Sequence, residues 1–168
     1  QITKEPIAEA KNRKTLDAIR EVVGSFDNDP IDEKTTITTP DGKYKLQLYP
    51  ARENGTITAV AIETFSDGGF GGKVELIIGM LMDGTVTGYK VIEQKETPGL
   101  GSKIAEKKFA GQFVGLNAYQ DQFKLQKDGG EIDAVTGATI SSRAVIDAVQ
   151  KAVQTYKKFN AGATGYEE

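Results

Sequence analysis

The sequence predicts one α+β domain, a mostly antiparallel central sheet with flanking N- and C-terminal helices. Two observations carry this expectation. Helix-period segments lie at the two ends of the chain and strand-like segments fill the middle. The strands are joined by turn signals, with none of the strand–helix alternation that a parallel, Rossmann-type nucleotide sheet requires. At 168 residues the chain is about one ordinary domain, able to bury roughly 70% of the surface its unfolded form exposes, without a disulfide or metal to help it fold.

The first element is predicted as a surface helix over Pro6 to Val23. Leu16, Ile19 and Val23 recur at helical spacing, Pro6 suits a first turn, and Gly24 offers a C-terminal stop. From Phe26 to Pro40 the composition shifts to Asp, Asn, Thr and Pro, which predicts a loop or irregular arm. Strand signals follow: Tyr44, Leu46 and Leu48 alternate with polar residues, and a β-branched run covers Thr56 to Thr64, with Pro50 and Asn54-Gly55 between them. Val74 to Met82 and Val86 to Ile92 flank Asp83-Gly84, a turn dipeptide suited to a tight hairpin at the centre of the sheet. Ser102 is expected to cap a short helix reaching Phe109. The last long helix is predicted from about Ser142 to Phe159, because Val145, Val149, Ala152, Tyr156 and Phe159 fall on one face. Asn160 to Glu168 reads as a small polar tail.

Composition narrows the function. With 21 Lys+Arg against 24 Asp+Glu the net charge is −3, and no basic stripe of the kind nucleic-acid backbones select is present. The chain contains no Cys and no His. Iron–sulfur clusters, most haem sites and typical zinc sites need those ligands, so an organic group is the carrier left if electrons pass through this domain. A covalent flavin could not use the usual link to His or Cys and would have to use a hydroxyl or another side chain. The longest apolar stretch, Val74 to Met82, is interrupted by Glu75 and stops at Asp83, far short of the roughly 20 residues that span a bilayer. The start at Gln1, with no Met and no signal-type apolar stretch, reads as a processed or trimmed end.

Two motifs carry chemistry. Asp133, Thr136, Gly137, Ala138 and Thr139, followed by Ile140, Ser141 and Ser142, approach the last helix and crowd hydroxyls at its start. Exposed N–H groups, the positive end of the helix dipole and small residues make such a place suited to phosphate. Plain capping by Thr or Ser explains the same letters. Glu96-Thr97-Pro98-Gly99-Leu100-Gly101 lies just beyond the hairpin, and by itself reads as a turn. A third feature, Gly68-Gly69-Phe70-Gly71-Gly72 before Val74 to Gly79, is of low specificity alone and is also explained as a turn between strands.

Together these motifs resemble the FMN-binding domain family, in particular the G subunit of Rnf electron-transport complexes and the related C subunit of the sodium-pumping NADH:quinone reductase. Asp-x-x-Thr-Gly-Ala-Thr matches the acceptor motif of proteins flavinylated by a dedicated, Mg-dependent FMN transferase, which moves the FMN part of FAD onto the final Thr and releases AMP. The resemblance implies FMN held covalently as a phosphoester on Thr139, with Asp133 read by the transferase, Thr136 as the motif's first hydroxyl at the cofactor site, and Gly137 and Ala138 allowing close approach. Gly162-Ala163-Thr164 repeats the ending without the upstream acid and hydroxyl, so Thr164 is assigned to the tail. By the same resemblance Leu100 packs on the flavin ring, Glu96 and Thr97 meet polar ring or ribityl groups, and Gly101 and Lys103 are further cofactor-binding residues of the loop. Gln94 stands where many relatives carry a His, which puts any proton-transfer role of that position in doubt.

The match runs from about Gly68 to the end of the last helix, and the short chain favours the Rnf-type subunit. The expected organisation is then an N-terminal helix and arm over 1–40, an FMN-binding core over 41–160 and a flexible tail over 161–168. The implied role is electron carriage, without standalone turnover, in an ion-translocating ferredoxin:NAD oxidoreductase complex. Its partners would be the other subunits and, during maturation, the transferase. An N-terminal membrane helix preceding this chain would anchor the domain on the periplasmic face of the inner membrane. Two alternatives stay open: the covalent-flavin domain of another extracytoplasmic electron-transfer system, and a module binding a phosphorylated ligand noncovalently.

Overall fold

The computed structural model describes residues 5–163. Helix α1 (Glu5–Val23) leads into strands β1 (Thr35–Thr38), β2 (Lys45–Glu53), β3 (Thr56–Gly69), β4 (Gly72–Leu81) and β5 (Val86–Glu93). A long connection containing short 3-10 turns and helix α2 (Lys107–Ala110) then reaches α3 (Thr139–Ala163). The five strands form one antiparallel meander in chain order. This is the α+β domain that the sequence predicts.

Strand periodicity explains how the layers assemble. Val60 and Ile62 of β3, with Leu76, Ile78 and Met80 of β4, face a core shared with Val145, Val149 and Tyr156 of α3. The intervening positions Ala61 and Ile77, with Tyr49 of β2, face a second cluster made by Ala18, Ile19 and Val22 of α1. The central strands are therefore apolar on both sides, which accounts for their near-continuous hydrophobic runs. The result is three layers: α1, sheet, α3.

Local chemistry sets the boundaries. The β4–β5 turn at Met82-Asp83-Gly84 is closed by Gly84 N donating to Leu81 O (3.0 Å) and Leu81 N to Thr85 O (2.8 Å). Gly84 adopts φ +95°, the left-handed residue that such a hairpin needs. The expected arm contains β1, a short Thr-rich edge strand that has no apolar alternation to reveal it. Pro50, expected to separate strands, lies inside β2. The β1 pairing ends at Leu48, and proline is tolerated where one edge of a strand has no ladder partner.

The expected helix at Ser102 is instead a 3-10 turn over Gly101–Ala105 followed by α2, and neither has a side-chain cap. Tyr89 pins this segment to the sheet by donating to Ile104 O (2.6 Å). The rings of Phe109, Phe113 and Tyr89 stack edge-on in series beneath it. Helix α3 begins earlier and ends later than expected, covering part of the predicted tail; Thr164 lies outside the described residues. Among the described residues, no helix is long and apolar enough to cross a membrane.

Helix α1 approaches the sheet over Gly79, where a Cβ would stand 2.6 Å from the Val22 carbonyl oxygen. The Thr87 hydroxyl donates to that same carbonyl and fixes the end of α1. Gly79→Ala is expected to lower stability by about 1–3 kcal/mol through overpacking. Denaturant unfolding, together with faster hydrogen exchange at residues 18–23, checks this.

Candidate functional site

Three segments far apart in sequence meet at Glu96. The side chain is buried (5% exposed) just after β5, and its carboxylate accepts from Phe70 N (2.8 Å), Gly71 N (3.0 Å) and the Ser141 hydroxyl (2.5 Å). Gln94 supports the turn from behind, its side-chain oxygen accepting from Glu96 N (2.7 Å). The β3–β4 hairpin tip, the 96–101 loop and the first turn of α3 are thus joined through one anion. Side-chain volume explains two glycines here. A Cβ on Gly71 would fall on the Lys95 carbonyl, and one on Gly101 would stand 2.7 Å from Glu96 Cβ and 2.5 Å from Ser141 Oγ.

The start of α3 follows from its own bonds. Ala138 O accepts the first helical bond, from Ser142 N (3.0 Å). Ala138 thereby holds the cap position, where it has no hydroxyl to cap with. Ser142 donates its hydroxyl to Ala138 O (2.9 Å) and accepts from Val135 N (2.9 Å), tying the approach loop to the helix. Ser141 is committed to Glu96. Thr139, half-buried in the first turn, receives a bond from Lys127 Nζ at 3.4 Å. Gly137, at φ +78°, turns the chain into the helix, and a Cβ there would stand 3.4 Å from Leu100 Cδ2.

These elements enclose a cleft of about 420 Å³ lined by Phe70, Thr97, Leu100, Gly101, Gly137, Ala138, Thr139, Ile140 and Ser141. Its rim is unusually apolar for a surface, with Phe70 69%, Leu100 46% and Ile140 49% exposed. A cleft of this size, with greasy walls and few polar groups, suits a flat organic ligand. The residues also fit FMN in particular: apolar side chains face where a ring would lie, and the Thr139 hydroxyl sits at a helix start that favours phosphate.

Of the residues singled out from sequence, Thr97, Leu100, Gly101, Gly137, Ala138 and Thr139 line this cleft, and Glu96 braces it from within the fold. Asp133, Thr136 and Lys103 line an adjoining cleft of about 310 Å³. The Asp133 peptide is held there by a two-way bond to the Gln112 side chain (2.8 and 2.9 Å). The Gly-rich loop is the β3–β4 hairpin, and its Phe70 joins the cleft wall. The sequence reading did not assign Ile140, Ser141 or Lys127. Ser141 and Ile140 stood next to the motif and could have been found by extending it one helical turn; no local signal marks Lys127.

A cleft with apolar walls and a helix start at its lip has room for a flat organic cofactor with a phosphate, the setting that a flavin-binding domain provides. The FMN-binding domain model matches residues 69–154, and the chain belongs to that family. It is 37% identical over 163 residues to the G subunit of the ion-translocating oxidoreductase complex of Vibrio cholerae, covering 91% of this chain and 78% of that protein. The corresponding G subunit of Vibrio atlanticus is 34% identical, with 95% and 80% covered. Among solved structures, the C subunit of the Na(+)-translocating NADH-quinone reductase from Parabacteroides distasonis has the same fold, with TM-score 0.69, 16% identity and 95% and 98% of the two chains covered.

Glu96→Gln replaces a carboxylate by a group with one acceptor oxygen, leaving Phe70 N or Gly71 N facing an amide N–H. Stability is expected to fall by about 1–3 kcal/mol, read by urea unfolding, with faster hydrogen exchange at residues 70 and 71.

Proposed function

We propose that this chain carries electrons in an Rnf-type ion-translocating ferredoxin:NAD oxidoreductase complex, with FMN joined to Thr139 by a phosphoester. The observation that carries the proposal is the position of Thr139. The last residue of Asp-x-x-Thr-Gly-Ala-Thr opens at a helix start into the same cleft as Thr97 and Leu100. Similarity to the G subunit of such complexes over nearly the whole chain supports the assignment to one.

Flavin, when bound, supplies reversible one- and two-electron chemistry. The chain's own residues hold and shelter it. Leu100 and Phe70 would offer apolar surface to the ring, and Thr97, in the cleft wall, would meet polar ring or ribityl groups. Glu96 and Ser141 keep the two walls at fixed separation, so little reorganisation accompanies a change of charge between them. Gln94, bonded to the Glu96 backbone, has no titrating group, so this position offers no proton relay.

Asp133 and Thr136 face outward on the adjoining cleft, a placement that suits recognition by an FMN transferase. On this reading the domain stands on the periplasmic side of the inner membrane among the other subunits of the complex, anchored by a helix that precedes it.

Coexpression with an FMN transferase in the export compartment is expected to add the mass of phosphoriboflavin to the peptide holding Thr139. Thr139→Ala is expected to abolish the addition, as intact mass and peptide mapping report. Wild-type protein that binds FMN but shows no added mass would replace the covalent carrier with a noncovalent module.

A further inference from the structure

Helix α3 brings a second positive charge to its own start through a clamp. Arg143, one helical turn after Thr139, bonds both oxygens of Asp128 through Nε (2.8 Å) and Nη2 (2.7 Å). This fork geometry fixes orientation as well as distance. Asp128 closes the 3-10 turn Gln126–Asp128, whose end is set by Gly129 at φ +98°. With the turn locked to α3, the adjacent Lys127 presents its ammonium to Thr139 Oγ1 at 3.4 Å. The Arg143 guanidinium, through its hydrogen bonds, also holds the Asp128 carboxyl below the usual carboxylate range. The clamp therefore persists down to more acidic pH than an unpaired Asp would allow.

An exposed lysine at 3.4 Å from a hydroxyl would mean little on its own. What distinguishes Lys127 is that its neighbour in sequence is tied to the residue one turn beyond its target. The ammonium and the N-terminal end of the helix dipole converge on one oxygen. The Asp128 carboxylate beside Lys127 already feels its charge, but it is held by Arg143; a phosphodiester on Thr139 would bring an anion to the oxygen that the ammonium faces.

We infer that Lys127, positioned by the Asp128–Arg143 clamp, is the counter-cation of the flavin phosphate on Thr139. The inference rests on the phosphoester reading above. In the transfer, Thr139 Oγ forms a bond to the flavin-side phosphorus of FAD as that phosphorus releases the oxygen bridging to the second phosphate. AMP departs with that oxygen, and the hydroxyl proton passes to solvent. No electrons are exchanged. Lys127 offsets negative charge in this step and remains paired with the diester afterwards.

The test follows the rate of mass gain of the full chain with FMN transferase, FAD and Mg²⁺ at low salt. Lys127→Met is expected to slow flavinylation about 10- to 100-fold, the loss of one charge-assisted hydrogen bond, while Lys127→Arg keeps most of the rate. The gap should narrow at about 1 M salt, where screening is nearly complete. Asp128→Asn, which loosens the clamp and spares the lysine, is expected to fall between the two. Once loaded to completion, the methionine variant should show a displaced ³¹P resonance with an unchanged unfolding midpoint, a signature that slower recognition by the transferase would not produce. A wild-type rate in Lys127→Met, a rate for Lys127→Arg as slow as that for Lys127→Met, or an unmoved ³¹P resonance overturns the inference and leaves the phosphoester reading standing. Wild-type protein unmodified at Thr139 overturns both.

Discussion

The buried Glu96 carboxylate is the constraint on which the site's architecture depends. An ionised carboxylate removed from water is strongly unfavourable unless donors replace the hydration it loses. Here they come from the backbone of the β3–β4 hairpin tip and from the first turn of α3. Satisfying one anion therefore ties together three segments that are far apart in sequence. It also explains why the surrounding positions are glycine: at Gly71 and Gly101 the space that a Cβ would need is already taken by the Lys95 carbonyl and by Glu96 and Ser141. Close packing at the anion and small residues around it are a single requirement.

The sheet makes that requirement achievable. Hydrogen bonds from buried Thr64 to Ala148 O (2.8 Å) and from Lys151 to Phe65 O (2.9 Å) hold α3 along β3. The helix start then falls beside the end of the same strand, where the hairpin tip emerges. With α1 covering the opposite face, β3 and β4 are packed on both sides, so the hairpin that presents Phe70 rises from strands buried on both faces. A wall built on central strands keeps its position better than one built on loops alone.

How much of this was legible depended on whether the signal was local. The β4–β5 hairpin and α3 were readable because Asp83-Gly84 and the Val145, Val149, Ala152, Tyr156 stripe report on their own surroundings. Strand β1 was not, since Thr35 to Thr38 owe their conformation to pairing with β2. Pro50 misled because its tolerance depends on where a neighbouring strand stops. The acceptor and loop motifs named segments that line one cleft, and the structure added how they meet. No spacing rule places Glu96 against Phe70, Gly71 and Ser141, or Lys127 against Thr139, because those contacts are set by how the chain closes in space.

On the proposed reading, the Thr139 hydroxyl faces two opposed demands: a modifying enzyme must reach it, and the attached ring must afterwards be shielded from water. Full burial would defeat the first and full exposure the second. Thr139 is half-buried at the lip of the cleft, while Phe70, Leu100 and Ile140 stand exposed around it. Apolar side chains left in water are an unmet driving force, and a flat ring laid against them would remove that surface from solvent. On the proposed reading, the rim is therefore incomplete by construction: the polypeptide supplies the frame and the tether, and the flavin itself provides the apolar partner that the rim lacks.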